Sequence, residues 1–331
     1  MAYAFYKIQA GKESSHGTAC AATAKWMCYT LHPTVGDLSW VQPEEERGSL
    51  AAFFRAYAPQ RQAELGDLEG DATFEDILYP LLMAVKGGVT PTQPDGTTNT
   101  YLWTFSPDLT SGNDPDTFTV EWGDDVQAWE SEYVFATSLT ISGALGEAWK
   151  VAASLVGRQH TATTFTAGLS DRTVESCLMN LTKLYIDDSG GSIGSTQITG
   201  AFVDFEWRLP VHFVPFFTAD GNKYFTTHSE KKMAPELDLT LVLDNTTKTL
   251  LTTKYTAGTG QLVRIAGIGS TIEGGYTKYI HIDGAYHING IDELGESEGK
   301  TVVAMHLLGI YDSDWGKLFE IAVQNSVSTL P

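Results

Sequence analysis

Ten short runs rich in β-branched and aromatic residues follow one another along this chain, divided by Gly, Asn, Asp and Ser. They are Tyr101–Phe105, Thr117–Trp122, Tyr133–Ile141, Leu178–Ile186, Gln197–Trp207, Leu237–Leu243, Gln261–Ile265, Tyr276–Ile282, Thr301–Tyr311 and Lys317–Val323. Runs of this kind read as half-buried strands, so the chain is expected to be mainly β, a sandwich or barrel. In the fifth run, Asp204 and Glu206 alternate with Val203, Phe205 and Trp207, which sends the acids outward and the apolar set into a core.

One helix is expected where Phe74, Ile77, Leu78, Leu81, Leu82 and Val85 recur at helical spacing. Thr73 with Asp76 forms a capping pair at its start, and Gly87 and Gly88 stop it. Pro80 is discordant, because inside a helix it removes one backbone hydrogen bond. Residues 145–156 fit either a helix or a strand. Four polar stretches, 87–99, 106–116, 187–195 and 290–300, are expected to be loops that a partner orders.

Charge narrows the functional classes. The 41 Asp and Glu against 21 Lys and Arg give a net charge of −20, and a surface of that sign repels nucleic acid within about one Debye length, roughly 8 to 10 Å. Cys20, Cys28 and Cys177 are too few to frame a disulfide scaffold and are read as reduced. The first ten residues lack a signal-peptide pattern, and the longest apolar stretch, Ile77–Val85, is far short of a membrane span. Synthesis and folding in a cytoplasm, with no membrane insertion, are therefore expected.

At an offset of 120 residues, Phe105 falls on Phe225, Pro115 on Pro235, Asp124 on Asp244 and Phe135 on Tyr255, which suggests an internal duplication. Phe118, Val120 and Trp122 then sit one residue out of step with Leu237, Leu239 and Leu241. The expected units are residues 1–165, with charge 9 − 21 = −12, and residues 166–331, with charge 12 − 20 = −8.

Candidate chemistry is sparse. His281, Asp283 and His287 have the residue types of a zinc or iron site, but the alternation places His281 and Asp283 on what reads as a solvated strand face, with no fourth ligand. Asp312 and Asp314, and Asp67, Glu69 and Asp71, read as acidic turns rather than paired catalytic carboxylates or a calcium loop. No nucleophile elbow, P-loop or dinucleotide fingerprint is present. No catalytic, cofactor-binding or metal-ligating residue is assigned, and no cofactor is expected.

The segment Gly11-Lys-Glu-Ser-Ser-His-Gly-Thr-Ala19 resembles the opening of bacteriophage major tail tube proteins. Also similar to that family are Gly70-Asp-Ala-Thr-Phe-Glu-Asp-Ile-Leu-Tyr79, the Gly-rich end of the helix it leads into, and the closing Gly316 and Phe319-Glu-Ile-Ala-Val-Gln-Asn325. It is the order of these segments along the chain that carries the resemblance. It implies a β-sandwich tail-tube fold, here in two tandem copies with few helices and long assembly loops. It further implies a structural virion protein with no enzymatic activity, polymerising as stacked rings into a tube. The implied partners are further copies of the chain, as a trimer with pseudo-sixfold symmetry or a hexamer, the tape measure protein, and tail terminator and tip proteins. Double-stranded DNA would pass through an acid-lined bore without binding. Two other classes fit the composition: a carbohydrate-binding β-sandwich using Trp103, Trp122, Trp149 or Trp207, and a glycoside hydrolase using Asp312 or Asp314.

Overall fold

The computed structural model describes residues 6–51 and 55–330, and 48% of the chain is strand against 7% helix. The mainly β expectation holds, and each of the ten runs contains strand. The principal elements are β1 (Lys7–Lys12), β2 (Leu38–Val41), β3 (Tyr57–Arg61), β4 (Ala63–Asp71), α1 (Leu78–Ala84), β5 (Tyr101–Phe105), β6 (Phe118–Gly123), β7 (Ala128–Ala144), β8 (Lys150–Gly157) and β9 (His160–Thr163). They continue as β10 (Thr182–Asp188), β11 (Phe202–Leu209), β12 (Phe213–Phe216), β13 (Thr227–Glu230), β14 (Glu236–Val242), α2 (Asn245–Thr249), β15 (Gln261–Thr271), β16 (Thr277–Ile291), β17 (Lys300–Gly309) and β18 (Phe319–Asn325).

One pattern of antiparallel pairing occurs twice. In the first half β1 pairs with β6, β6 with β7, β7 with β8, β8 with β4, and β7 again with β9. In the second half β10 pairs with β15, β15 with β16, β16 with β17, β17 with β14, and β16 again with β18. The strands occur in the same chain order, and a helix lies between the second and third strand of each set. The register is not the 120-residue offset, which would lay β6 on β14 and Phe135 on Tyr255 in the helical turn after α2. β11 joins the halves by pairing with β7 on one side and β14 on the other, giving a continuous sheet β4-β8-β7-β11-β14-β17-β16. One buried cluster runs from Ile8 to Val323 beneath it.

The 17-residue strand β7 belongs to two sheets. Its first part, to Val134, pairs with β6 and β9, and its later part pairs with β8 and β11. The change falls at a register slip where Tyr133, 2% exposed, has φ 55°. A bulky side chain is strained there, at a cost of order 1–3 kcal/mol. The Glu13 carboxylate holds the kink. Its Oε1 accepts from Tyr133 N at 2.8 Å and Thr119 Oγ1 at 3.0 Å, and its Oε2 accepts from Gly17 N and Thr117 Oγ1, both at 2.7 Å. Gly17 has φ 72°, and a Cβ there would meet Arg158 Nη1 at 1.9 Å. Arg158 lies 4.6 Å over the Tyr133 ring and donates to Gly17 O. Glycine is thus favoured at residue 17 by its positive φ, and a Cβ there would also displace the Arg158 guanidinium, while four donors call for glutamate at residue 13.

The helix is shorter than its sequence pattern. Thr73 Oγ1 accepts from Asp76 N at 3.0 Å, residues 74–77 form turns, and α1 begins at Leu78. Pro80 therefore lies in the first turn, where its missing N–H has no intrahelical partner to lose. All seven residues of α1 are buried, so the helix is a core element rather than an amphipathic one. In the ambiguous region, residues 150–157 are strand β8. All four polar stretches make ordering contacts within the chain itself: in the first, Asp95 accepts from Thr97 N and Thr98 N, and Thr92 bridges to Leu102. Asp108 accepts from Thr110 and Ser111, Asp187 accepts from Gly194, Ser195 and Thr196, and Gly295–Ser297 pairs with β17.

Glu13→Ala is expected to strand two backbone donors and two hydroxyls in the interior and to destabilise the fold by about 3 kcal/mol or more. A urea midpoint for this variant equal to wild type would show that the kink does not depend on the carboxylate.

Candidate functional site

The continuous sheet has one apolar face and one polar face, because a strand sends alternate side chains to opposite sides. Val151, Ala153, Leu139, Ile141, Phe205, Trp207, Leu237, Leu239, Met305 and Leu307 turn inward and are buried. The outward residues align across six strands as Asp71, Lys150, Ser142, Glu206, Asp238 and His306. The neighbouring row is Glu69, Ala152, Thr140, Arg208, Glu236 and Leu308. Asp204 and Asp67 extend the face, paired across the sheet with Thr240 and Ser154. Seven acids and two permanent cations give 2 − 7 = −5 over a surface whose other members are small or polar apart from Leu308, with no Phe, Tyr or Trp in these rows.

The two cations are surrounded. Lys150 Nζ lies 2.7 Å from Asp71, and Arg208 reaches Glu206 at 2.5 Å, Asp238 at 2.7 Å and Glu236 at 3.3 Å. His306 lies 2.6 Å from Asp238 and 3.1 Å from Asp292, and these carboxylates raise its pKa above the usual imidazole value. Exposed ion pairs contribute roughly 0–1 kcal/mol each, so this charge pattern is not explained by stability. One flank of the sheet is partly covered, because along β4 the segment 29–34 pairs at Tyr29 and Thr30 and donates again from Thr34 N to Glu64 O at 3.2 Å. Along β16 the pairing with β15 ends at Tyr286, which leaves residues 287–291 with β17 on one side only.

A second surface is an arm that the sequence reading missed. β2 and β3 pair with each other as a separate two-stranded sheet, and Trp40, Leu50 and Tyr57 are 65%, 110% and 53% exposed. Its base is fixed: Asp37 accepts from Arg61 Nε at 2.6 Å and from His160 N at 2.9 Å. An isolated hairpin is marginally stable in water, and clustered exposed apolar groups mark contact surfaces.

A second hairpin, β12–β13, docks on the kink through Tyr133, Phe135, Val156, Phe213 and Phe225. His228 Nδ1 lies 3.1 Å from Tyr133 Oη, its ring stands edge-on to His16 at 5.5 Å, and Asp114 is 3.5 Å from Nε2. Burial pushes the His228 pKa down, with the His16 charge acting in the same direction. Burial likewise lowers that of His212, which sits 3.3 Å from Glu230.

The other residues singled out from the sequence are structural. Asp283 is 4% exposed and held at both oxygens by Arg264, at 2.6 and 2.7 Å, so its strand face is covered rather than solvated. His281 stacks on Tyr279, and burial lowers its pKa to about 3. Among the described residues no cluster of His, Cys, Asp and Glu could hold a metal ion, and no helix is long and apolar enough to cross a membrane. Asp312 caps a turn through Asp314 N and Trp315 N, and with the Ser189 hydroxyl these bonds lower its pKa, opposite to the shift a general acid requires. Asp67, Glu69 and Asp71 lie on strand β4 rather than in a turn. Trp103, Trp122, Trp149 and Trp207 are each at most 4% exposed and offer no stacking platform. The three cysteines are free, and burial raises the pKa of Cys177.

Burial disfavours the charged form of His228 in the docked state, while the unfolded chain takes up a proton below pH ~6.5. Its contribution to stability is therefore complete above that pH and falls away as pH drops below it. Hydrogen-exchange protection at β12 and β13, relative to the intrinsic exchange rate at each pH, is expected to fall as pH drops below ~6.5, and less so in His228→Gln; an equal fall in both would remove His228 from the cause. Neither family models nor curated proteins give a match to this chain.

Proposed function

We propose that this chain is a structural virion protein that polymerises as stacked rings into the tail tube of a long-tailed bacteriophage, a conduit through which the genome enters the host. The observation that carries the reading is the sheet β4-β8-β7-β11-β14-β17-β16, acidic on one face, apolar on the other, and unpaired along one side of residues 287–291 at its β16 flank. An open sheet edge is a template for pairing with another chain, and lateral pairing of identical subunits closes a ring with no edge left exposed. The opening segment supports the same reading, because Gly11, Glu13 and Gly17 each meet a local requirement. A Cβ on Gly11 would meet Ala21 O at 2.3 Å.

The twofold occurrence of one pairing pattern favours two tube units per chain, residues 1–165 and 166–331, and hence three chains per ring with pseudo-sixfold symmetry. Three sheets of seven strands make about 21 strands. At a spacing of ~4.8 Å and a tilt near 40°, they close at a diameter of roughly 40 Å, leaving a bore of about 30 Å inside the side chains. That is wide enough for a duplex roughly 20 Å across, which would meet like charge on all sides and no cationic patch on which to stall. The inner end would contact a tape measure protein, and terminator and tip proteins would close the two ends. A sugar-binding module or a glycoside hydrolase is less well supported, given the buried tryptophans and the turn-capping role of Asp312.

Electron microscopy of concentrated protein is expected to show hollow tubes with three elongated subunits per ring. Six identical units, each with a separate outer lobe, would refute the two-unit reading. Tubes carrying Asp204→Lys, Glu206→Lys and Asp238→Lys are expected to retain DNA at low salt and release it at high salt, whereas wild-type tubes retain none. Identical DNA retention by the two tubes would take the acidic face out of the bore.

A further inference from the structure

A cleft of about 780 Å³ lies between the loop 108–112, the exit of β13 and the turn after β17. Its apolar wall includes Leu109 and Tyr311, 45% and 58% exposed, with Met233 beside them. Lys231 and Lys232 line its rim. Among the described residues they are the one place where two lysines adjacent in sequence both lack an ion pair; the other lysines without one, residues 7, 86, 183, 223, 248 and 300, stand singly. The two acids of the cleft are engaged elsewhere. Asp108 accepts from Thr110 and Ser111, and Glu230 accepts from Asn113 N at 2.7 Å and Asn113 Nδ2 at 2.9 Å. The lysines are left with unspent donors.

The arm carries the complementary set. Between β2 and β3, Glu45 is tied to Arg47 and Arg55, but Glu44 and Glu46 are exposed and make no ion pair among the described residues. They adjoin Val41 and the fully exposed Leu50. We propose that the Glu44–Leu50 segment of one copy seats in the Lys231–Lys232 cleft of a second copy, Glu44 and Glu46 meeting the lysines and Leu50 entering between Leu109 and Tyr311. The cleft volume falls within the range that encloses a compact ligand. Arm and cleft are different surfaces, so the contact is heterologous and propagates rather than closing on itself as a twofold dimer. Between two molecules of charge −20, this is a place where cations meet acids, and complementary charge selects partner and register. The inference rests on the self-assembly reading above and names the contact that reading leaves open.

The test is a charge exchange, with assembly followed by light scattering and microscopy, and folding of each variant checked by circular dichroism. Lys231→Glu with Lys232→Glu is expected to raise the concentration needed for assembly at least tenfold. Glu44→Lys with Glu46→Lys should do the same, and the chain carrying all four substitutions should return to near the wild-type concentration. Neutral Lys→Gln replacements at residues 231 and 232 should weaken assembly less than reversal does. If wild type assembles and either reversed variant assembles equally well, or if the folded fourfold variant is no better than its parents, the arm–cleft contact is wrong and the tube reading stands. If wild type never assembles at any concentration or ionic strength, both fall together.

Discussion

The whole architecture turns on one buried carboxylate. β7 must leave the β1-β6 sheet and enter the sheet that spans both halves, and it does so at Tyr133, in a backbone conformation unfavourable for a bulky residue. Glu13 makes that conformation tenable by accepting four hydrogen bonds from three separate segments. Without an acceptor, the amide of Tyr133 would be a buried orphan at the point where the strand is already strained. Arg158 seals the junction from outside and reaches Phe225 O and Thr226 O, so the hairpin β12–β13 is tied to the same point. The direction taken by β7 places β11 beside it, and β11 carries the sheet into the second half.

Glu13 is one of several acids withdrawn from the surface. Glu13, Asp37, Glu75, Asp76, Glu121, Asp187, Asp283 and Asp312 are all at most 9% exposed, and each is engaged by backbone or side-chain donors. Glu121 is a second hub, accepting from Gln9 Nε2 at 2.6 Å and from both the amide and hydroxyl of Thr166. The charge surplus thus divides into carboxylates that organise loops from within and those that colour a surface. The bore of the proposed tube would therefore not account for the entire surplus. It can account for the outward rows of the sheet, where acids recur on strands from both halves.

What the sequence disclosed follows from the range over which each signal acts. Strand existence and the inward or outward sense of Phe205, Trp207, Asp204 and Glu206 were legible because a period of two is written in adjacent residues. The start of α1 was not, since the turns at 74–77 and the helix bury the same apolar residues whichever hydrogen-bond pattern they adopt. Offset matching misplaced the repeat because the spacing between matching strands changes along the chain. β1 and β10 start 175 residues apart, but β7 and β16 start 149 apart. The polar rows were invisible for a related reason: Asp71, Ser142 and Asp238 are neighbours across the sheet only through strand register, which no local pattern encodes. The arm escaped notice because its exposed Trp40 and Tyr57 look like core residues until the structure leaves them uncovered.

Placement of charge then bears on how such a molecule could associate with itself. Two chains of charge −20 repel, and screening at moderate salt confines that repulsion to about a Debye length without removing it at contact. Residues 38–61, which hold the most exposed apolar side chains, carry three acids and three bases, 3 − 3 = 0. Apolar contact area is thus concentrated on an element that brings no net charge to the interface, and the uncompensated acids lie mostly elsewhere, including on a sheet face that no contact would cover. In the proposed assembly, segregating adhesion from repulsion in this way would let one chain bind its copies through its arm and edge while its acidic face stays inhospitable to any polyanion.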